Sequence, residues 1–322
     1  SAPLTPGQTE RWLAAAFDEG ARRALNESFC VCLSGNVDVS ALKGAVQDVI
    51  ARHDAFKIAF DQDEPRQLLR ATAVMPIQEV DLRDQSDSDS ALDAFCTSAS
   101  EKDFPLDQAP LAAASLLHLA DGRKVVHIVA SHLIFDGWAS SIFNAELAAA
   151  YKARTTHTRL SLKPAESPLV FGEQEQARMT GTQGQEAMQY WRDVLKNPPP
   201  LLSLGDRTPP SPRRYEADTV RAQFDGPLAQ SLKDAARQRG ATLFQLLLTA
   251  VTAALRHISG QDEFVVSIPY ASQSLQRKGP LMADGVLDLP LRLQCQTTDT
   301  GTQLLSRVRD QLMDALEYPV AT

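Results

Sequence analysis

A histidine and an acid stand four residues apart at the end of an apolar stretch. Residues 125–130 are mostly β-branched and predict a buried strand, after which come Ser131, His132, Asp136 and Gly137. Histidine is the side chain best suited to move a proton near neutral pH, and a glycine after the acid lets the backbone turn sharply. We therefore predict that His132 is a catalytic residue at a strand end. The plainer alternative is a hydrogen-bonded core histidine, because HxxxDG is short enough to recur by chance.

Length and composition bound the class of protein. The chain has 322 residues, which is the length of roughly two domains of about 150 residues each. Apolar residues make up 43% and charged residues 22% of the chain, and neither a long transmembrane-type apolar run nor a signal-peptide pattern is present. These features predict a soluble globular protein of the cytoplasm without a membrane partner.

Charge and cysteine content limit the partners. A net charge of −8 and a pI near 5.3 disfavour nucleic acid, which is bound by a basic surface. The four cysteines have neither zinc-site spacing nor the density of a disulfide scaffold, so no metal is predicted. Cys30 and Cys32 are predicted to share one face of a strand as small buried thiols.

Hydrophobic periodicity and capping residues predict the elements that position His132. Thr5 is predicted to cap a helix that begins at Pro6, and Ser40 to cap a second helix over residues 39–53. Asp121-Gly122 predicts a hairpin turn between an apolar stretch at 111–119 and the strand that leads to His132. With further strands at 28–33 and 58–60 and a helix over 140–151, these elements predict a mixed α/β layer with a partly antiparallel sheet.

The second half of the chain predicts a similar layer. Its predicted elements are strands at 215–224, 263–268 and 285–293 and helices at 242–257 and 302–316. Residues 197–212 contain six prolines, too many for regular structure. We therefore predict two lobes of related topology, residues 1–165 with the HxxxDG motif and residues 166–322.

Six separated segments resemble the motifs of one family, the condensation domains of nonribosomal peptide synthetases, which are relatives of chloramphenicol acetyltransferase. In chain order they are residues 4–12 (LTPGQTERW), 52–60 (RHDAFKIAF), 104–107 (FPLD), 131–138 (SHLIFDGW), 190–192 (YWR) and 289–292 (LPLR). Each segment alone is a weak signal. Together they occur in the family's order over nearly the whole chain, which makes the resemblance specific.

The resemblance implies a fold, an activity and partners. Two acetyltransferase-like lobes, each a mixed sheet flanked by helices, would form a V around a central tunnel with His132 at its middle. Upstream and downstream carrier proteins of neighbouring synthetase modules would deliver thioesters on phosphopantetheine arms, and no cofactor would bind the domain directly. A carrier-bound nucleophile, usually an amine and less often a hydroxyl, would attack the upstream thioester while His132 accepts or positions its proton. The product would be a secondary metabolite such as an antibiotic.

The resemblance also implies roles for the residues around His132. Asp136 would hold the turn without touching substrate and would pair with a cation, because a carboxylate is costly to bury alone. Gly137 would be needed either for a positive φ or because a side chain would narrow the tunnel. The remaining motif or tunnel residues are Ser131, Trp138, Arg52, Lys57 and Arg292, and Arg292 is one candidate for the cation that pairs with Asp136.

The chain departs from the family's pattern at several positions. Ser131 replaces the first of two histidines, and Lys57 replaces an arginine whose bidentate contacts lysine cannot reproduce. Ser272-Gln273 stands where the family often has Gly-Arg, and Leu287-Asp288 where it often has Asn-Thr. The chain also ends before the family's last strands, so the second lobe is predicted to be truncated.

Two other functions fit the same sequence. A non-catalytic member of the fold would serve as a docking platform for carrier proteins or a tailoring enzyme, and the altered motifs favour this alternative. A free-standing acyltransferase that uses coenzyme A would share HxxxDG. The sequence contains no DFGWG-like partner motif, which ranks that alternative lower.

Overall fold

The computed structural model describes residues 1–205, 214–215, 217–274 and 279–319, and the chain divides into two compact units. The first unit comprises Ser1–Ala177 and Ala271–Val286, and the second comprises Arg178–Tyr270 and Leu287–Thr322. This division differs from the predicted one at residue 165, because two further segments join the first unit. Phe171 from one segment packs with Leu281 and Ala283 from the other, and Met282 is buried in the core of the first unit.

The first unit contains a four-stranded sheet, a three-stranded sheet and helices. Its elements in chain order are β1 (Ala2–Pro3), α1 (Pro6–Phe17), α2 (Glu19–Ala24), β2 (Asn26–Leu33), α3 (Val39–Arg52), β3 (Ile58–Phe60), β4 (Arg66–Leu69), β5 (Ile77–Leu82), α4 (Ser88–Ser100), β6 (Ala112–Leu119), β7 (Lys124–Ser131) and α5 (Gly137–Thr155). Helix α6 (Pro168–Thr180) then leads the chain into the second unit.

Strand β7 is an inner strand of the four-stranded sheet, whose order is β2, β7, β6, β5. It pairs antiparallel with β2 and β6, and β6 pairs parallel with β5, so the predicted mixed sheet is confirmed. Every residue of β7 after Lys124 is buried, which explains its continuous apolar sequence. The strand ends at Ser131 opposite Asn26, so His132 lies just beyond the C-terminal end of β7.

Local sequence accounts for the elements that flank β7. Thr5 caps α1, which begins at Pro6, so the predicted cap and helix start are confirmed. Gln8 completes a capping box with Thr5. Helix α3 is capped by Asp38, whose carboxylate accepts the N–H of Ala41 at 2.9 Å, so the predicted cap at Ser40 is wrong. Gly122 has a φ of 89° in the predicted hairpin between β6 and β7.

The second unit contains a two-stranded sheet and four helices among its described residues. They are α7 (Thr182–Val194), α8 (Gly226–Gln238), α9 (Leu243–Ser259), β8 (Glu263–Ala271), β9 (Val286–Gln294) and α10 (Gly301–Glu317). Buried side chains from α7, both strands and α10 form its core, including Trp191, Phe264, Leu289 and Val308.

One predicted strand of this unit is wrong. Residues 214–215 and 217–224 are described and contain no strand, because their apolar side chains, such as Val220 and Phe224, are exposed and bury no face. The proline-rich segment at 197–212 has no regular structure up to residue 205, and its residues 206–212 lie outside the described ones.

The length and hydropathy of the described helices bear on whether any of them could span a membrane. None of them is both long and apolar enough to cross a membrane by itself, and only α8 and α9 together pass that test, with a bend of 99° between them.

Candidate active site

His132 lies in the turn between β7 and α5, with its ring between two carboxylates. Its backbone N–H donates to the carbonyl of Leu25 at 2.7 Å, which fixes the start of the turn. Ring atom Nδ1 is 3.6 Å from Oδ1 of Asp284, and Nε2 is 3.6 Å from Oε1 of Glu27. The imidazole remains 19% exposed, so a reacting group can approach it.

Asp284 is a buried carboxylate that the sequence analysis missed. Its side chain has 0% exposure, and Oδ2 lies 3.3 Å from Nη1 of Arg11 on α1. Oδ1 accepts the N–H of Val286 at 3.2 Å, and the backbone carbonyl of Asp284 accepts the hydroxyl of Thr5 at 3.3 Å. No local pattern marks this residue, because its role depends on contacts with residues more than 150 positions earlier in the chain. A single acid after the apolar residues 281–283 is the only hint.

The environment of His132 makes its imidazole a stronger base. Burial lowers the pKa of His132, but the carboxylate of Asp284 raises it by more, so the net pKa lies above its usual value. Glu27 adds a smaller upward contribution, and Arg11 opposes both because its positive charge lies near the ring. The arrangement favours proton acceptance at His132.

Asp136 holds the turn through uncharged donors in the described part of the chain. Its Oδ1 accepts the N–H of Ala139 at 2.8 Å, which caps α5, and its Oδ2 accepts from the side-chain amide of Gln273 at 2.5 Å and from the N–H of Gly285 at 3.2 Å. Gln273 therefore takes the position where a cation was expected. Because burial outweighs these bonds, the pKa of Asp136 is raised.

Arg292 is not the cation for Asp136. Its guanidinium bonds to Glu263 at 2.8 Å and to the carbonyl of Val194 at 2.7 Å, all within the second unit. That candidate pairing is wrong, because a different ion pair on β8 and β9 already engages the side chain.

The other residues of the SHxxxDGW segment have distinct surroundings. Ser131 is buried, and its hydroxyl accepts the N–H of Leu133 at 3.4 Å, so it helps to shape the turn. Gly137 does not have a positive φ, so that predicted reason for a glycine is wrong. A Cβ at Gly137 would meet no heavy atom of the described residues within 4 Å, which leaves open space above the start of α5. Trp138 is 38% exposed.

The opening segment supports the histidine turn directly. The side-chain amide of Gln8 donates to the carbonyl of Leu133 at 2.8 Å, and its oxygen accepts the N–H of Thr5 at 2.9 Å. Gly7 packs so closely against the backbone of Val286 that a Cβ at position 7 would lie 2.1 Å from the Val286 carbonyl oxygen. Helix α1 thus holds both the turn and the segment that carries Asp284.

Arg52 and Lys57 make contacts elsewhere in the first unit. Arg52 bonds to Glu146 at 2.9 Å and to the carbonyl of Lys163, and the buried His53 bonds to the same carboxylate at 2.8 Å. Lys57 donates to the carbonyl of Ala51 at 3.0 Å and lies 3.4 Å from Asp54. The bonds of Arg52 and His53 to Glu146 tie the end of α3 to α5, and the bonds of Lys57 hold the turn that follows α3. These side chains therefore have structural roles.

Comparison with known proteins assigns the chain to a family. The profile of the Condensation domain family matches residues 1–320. The chain belongs to the condensation-domain family. The predicted family is thereby confirmed.

Relatives and solved structures give the scale of the similarity. This condensation domain is 28% identical over 320 residues to phosphinothricin tripeptide synthetase PhsC of Streptomyces viridochromogenes, covering 98% of this chain and 29% of that protein. The crystal structure of the first condensation domain of the CDA synthetase superposes with a TM-score of 0.85 at 21% identity, covering 98% of this chain and 75% of that one. A solved complex of the X-domain and OxyB from teicoplanin biosynthesis superposes with a TM-score of 0.81 at 24% identity, covering 98% of this chain and 70% of that one. The predicted chloramphenicol acetyltransferase-like fold is confirmed, and the chain spans less than a third of that synthetase.

Proposed function

We propose that this condensation domain joins a carrier-bound acyl or peptidyl thioester to a carrier-bound nucleophile, forming an amide and less often an ester. The observation that carries the proposal is the position of His132, partly exposed at the end of β7 with its ring between Asp284 and Glu27. A histidine in such a place can accept the proton of an attacking amine. The similarity to a synthetase named for a tripeptide product supports an amide over an ester.

The reaction transfers an acyl group from sulfur to nitrogen. The amine nitrogen attacks the thioester carbonyl carbon, and the carbon–sulfur bond then breaks as the amide forms. Nε2 of His132 accepts the proton that the nitrogen loses, and the same proton neutralises the departing thiolate. His132 therefore acts first as the base and then as the acid, and no other reactant is consumed.

Asp284 is a positioning residue in this proposal. Its buried carboxylate lies on the Nδ1 side of the ring, so it favours a proton on Nδ1 and leaves Nε2 as the base. It also stabilises the imidazolium that forms during proton transfer, in the way an aspartate assists a catalytic histidine in serine hydrolases. Arg11 fixes Asp284 in place and limits how far the pKa of His132 rises.

In this proposal the partners of the domain are an upstream and a downstream carrier protein, within a synthetase of the cytoplasm. Each would deliver its substrate on a phosphopantetheine arm, so the domain itself needs no resident cofactor. Holding both arms near His132 turns a bimolecular encounter into a reaction between positioned groups.

The test is condensation between two loaded carriers. The protein is mixed with an acyl-carrier and an aminoacyl-carrier protein, and the amide on the downstream carrier is measured by mass spectrometry. We expect product only when both carriers are loaded. Hydrolysed acyl group without amide, or no reaction with a panel of acyl and aminoacyl pairs, would contradict the proposal.

A docking platform is the second candidate, favoured by one comparison. A structure with the same fold was solved as a complex with another protein, OxyB. If this chain were such a platform, it would bind a carrier protein or a tailoring enzyme, while the loaded carriers would yield no amide in the test above.

A further inference from the structure

A cluster of two thiols and an imidazole lies outside the His132 site. Cys30 on β2 and His127 on β7 are directly opposite each other in the antiparallel pair, and Cys96 comes from α4, which packs on both strands. The two sulfur atoms are 3.5 Å apart, and one ligand atom from each of the three residues lies within 4.8 Å of the other two. Three different elements thus bring metal-ligating atoms to one place.

We infer that Cys30, Cys96 and His127 form a binding site for a zinc ion. Two sulfurs and one nitrogen form a donor set that binds zinc in preference to harder cations such as magnesium. In a tetrahedral site with zinc–sulfur bonds of about 2.3 Å, two sulfurs are about 3.8 Å apart, close to the distance between these two thiols. The sequence spacing gave no sign of this site, because its ligands lie on separate elements.

His127 supplies an independent sign of a ligand. The residue is 1% exposed, and its Nδ1 has no hydrogen-bond partner among the described residues. Its Nε2 contacts the hydroxyl of Ser28 at 2.9 Å, and the ring makes a T-shaped contact with Phe95. A buried imidazole with an unused nitrogen is expected to find a partner.

The two thiols are accessible to an ion from solvent. Both are partly exposed, so an ion can enter, and a water molecule can complete the coordination. A bound ion would replace the thiol protons, because the thiolate is the form that binds a metal.

Zinc at this position would fasten α4 to the sheet. No residue of α4 is fully buried, and its Leu92 and Phe95 pack partly buried against the cluster of Leu117, Leu119 and Val125. Ligands from α4, β2 and β7 would cross-link the helix to the strand that leads to Ser131 and His132. The inference is independent of the condensation activity, because it concerns the stability of this part of the first unit.

The experiment uses a variant whose only cysteines are the two in the cluster. Cys32→Ser and Cys295→Ser together leave Cys30 and Cys96, since the chain has four cysteines. The reduced, metal-free protein is titrated with Co²⁺ as a spectroscopic probe and then with Zn²⁺ as a competitor. We expect one Co²⁺ per chain, a thiolate-to-cobalt charge-transfer band, displacement by Zn²⁺, and a rise in Tm on adding Zn²⁺.

Two ligand variants on the same background complete the test. Cys30→Ser and Cys96→Ser should each weaken Co²⁺ binding by more than about 100-fold, since even outer-shell partners contribute 10- to 100-fold. Circular dichroism without metal checks that each variant folds, and Cys96→Ala replaces Cys96→Ser if it does not. Unchanged Co²⁺ affinity in both variants, or no charge-transfer band, would overturn the inference. It would also fail if oxidised glutathione joins the two thiols as a disulfide while the reduced protein binds no Co²⁺.

Discussion

Replacing Asp284 by asparagine is expected to slow condensation and to move the acidic limb of its pH profile to lower pH. The limb reports the loss of a proton from His132, whose pKa is raised above its usual value because Asp284 outweighs burial. Without that carboxylate, burial is the largest remaining influence, and it lowers the pKa. The base form of His132 therefore appears at a lower pH in the variant, but it is a weaker base.

The distance sets the magnitude. At 3.6 Å and an effective dielectric constant of about 20, two unit charges attract by about 4 to 5 kcal/mol. That value is an upper limit, because Arg11 shares the carboxylate and the imidazolium loses hydration on burial. We expect a loss of about 10- to 1000-fold in the single-turnover rate, equivalent to about 1.4 to 4 kcal/mol of barrier.

Glu27→Gln is the matched control for this change. Glu27 lies at the same distance of 3.6 Å from the ring of His132, but its side chain is 48% exposed, so solvent screens its charge. Single-turnover rates between loaded carriers are measured from pH 5 to 9 for the parent and both variants, with Tm as a check on folding. Glu27→Gln should change the rate by less than about 5-fold. Equal effects of the two variants, or an unshifted limb in Asp284→Asn, would refute the reasoning.

Two further predictions concern stability. Asp136→Ala removes the cap of α5 and leaves the N–H of Gly285 without its acceptor, so urea unfolding should show a loss of about 1 to 3 kcal/mol; a loss above about 4 kcal/mol would instead indicate a stranded charge. Gly7→Ala and Gly137→Ala form a matched pair: a Cβ at position 7 would lie 2.1 Å from the carbonyl oxygen of Val286 and should cost more than about 1 kcal/mol, whereas Gly137→Ala should leave Tm nearly unchanged. Equal Tm values for the two alanine variants would contradict the packing argument.

The elements around His132 could be predicted because their signals are local. The apolar stretch of β7, the Asp121-Gly122 turn and the Thr5 cap each depend on neighbours in sequence. Asp38 caps α3 instead of Ser40 because its carboxylate reaches the N–H of Ala41 three residues later, a choice that spacing alone leaves open. Local patterns were thus reliable for the elements around His132 and less so for their ends.

The partners of the site could not be predicted because they are distant in sequence. Asp284 and Gln273 reach the histidine turn only through the fold. The sequence marked Gln273 only as a departure from the family's Gly-Arg pair, and Asp284 lies in no segment that resembled a family motif. The assumption that a buried carboxylate needs a cation also failed at Asp136, since a side-chain amide and two backbone N–H groups serve it in the described structure. Cys32 is exposed, although a buried thiol was predicted, because only one of the two cysteines on β2 lies under α4.

The most direct test of the central claim is the single-turnover rate of His132→Ala with two loaded carriers. General-base catalysis is typically worth about 10²- to 10⁴-fold, or roughly 3 to 5 kcal/mol of barrier, so the rate should fall by that factor. Carrier binding and Tm should stay near the parent values, since the imidazole is partly exposed and its two carboxylate contacts are 3.6 Å long. A parent that forms amide at a rate unchanged by His132→Ala would contradict the account.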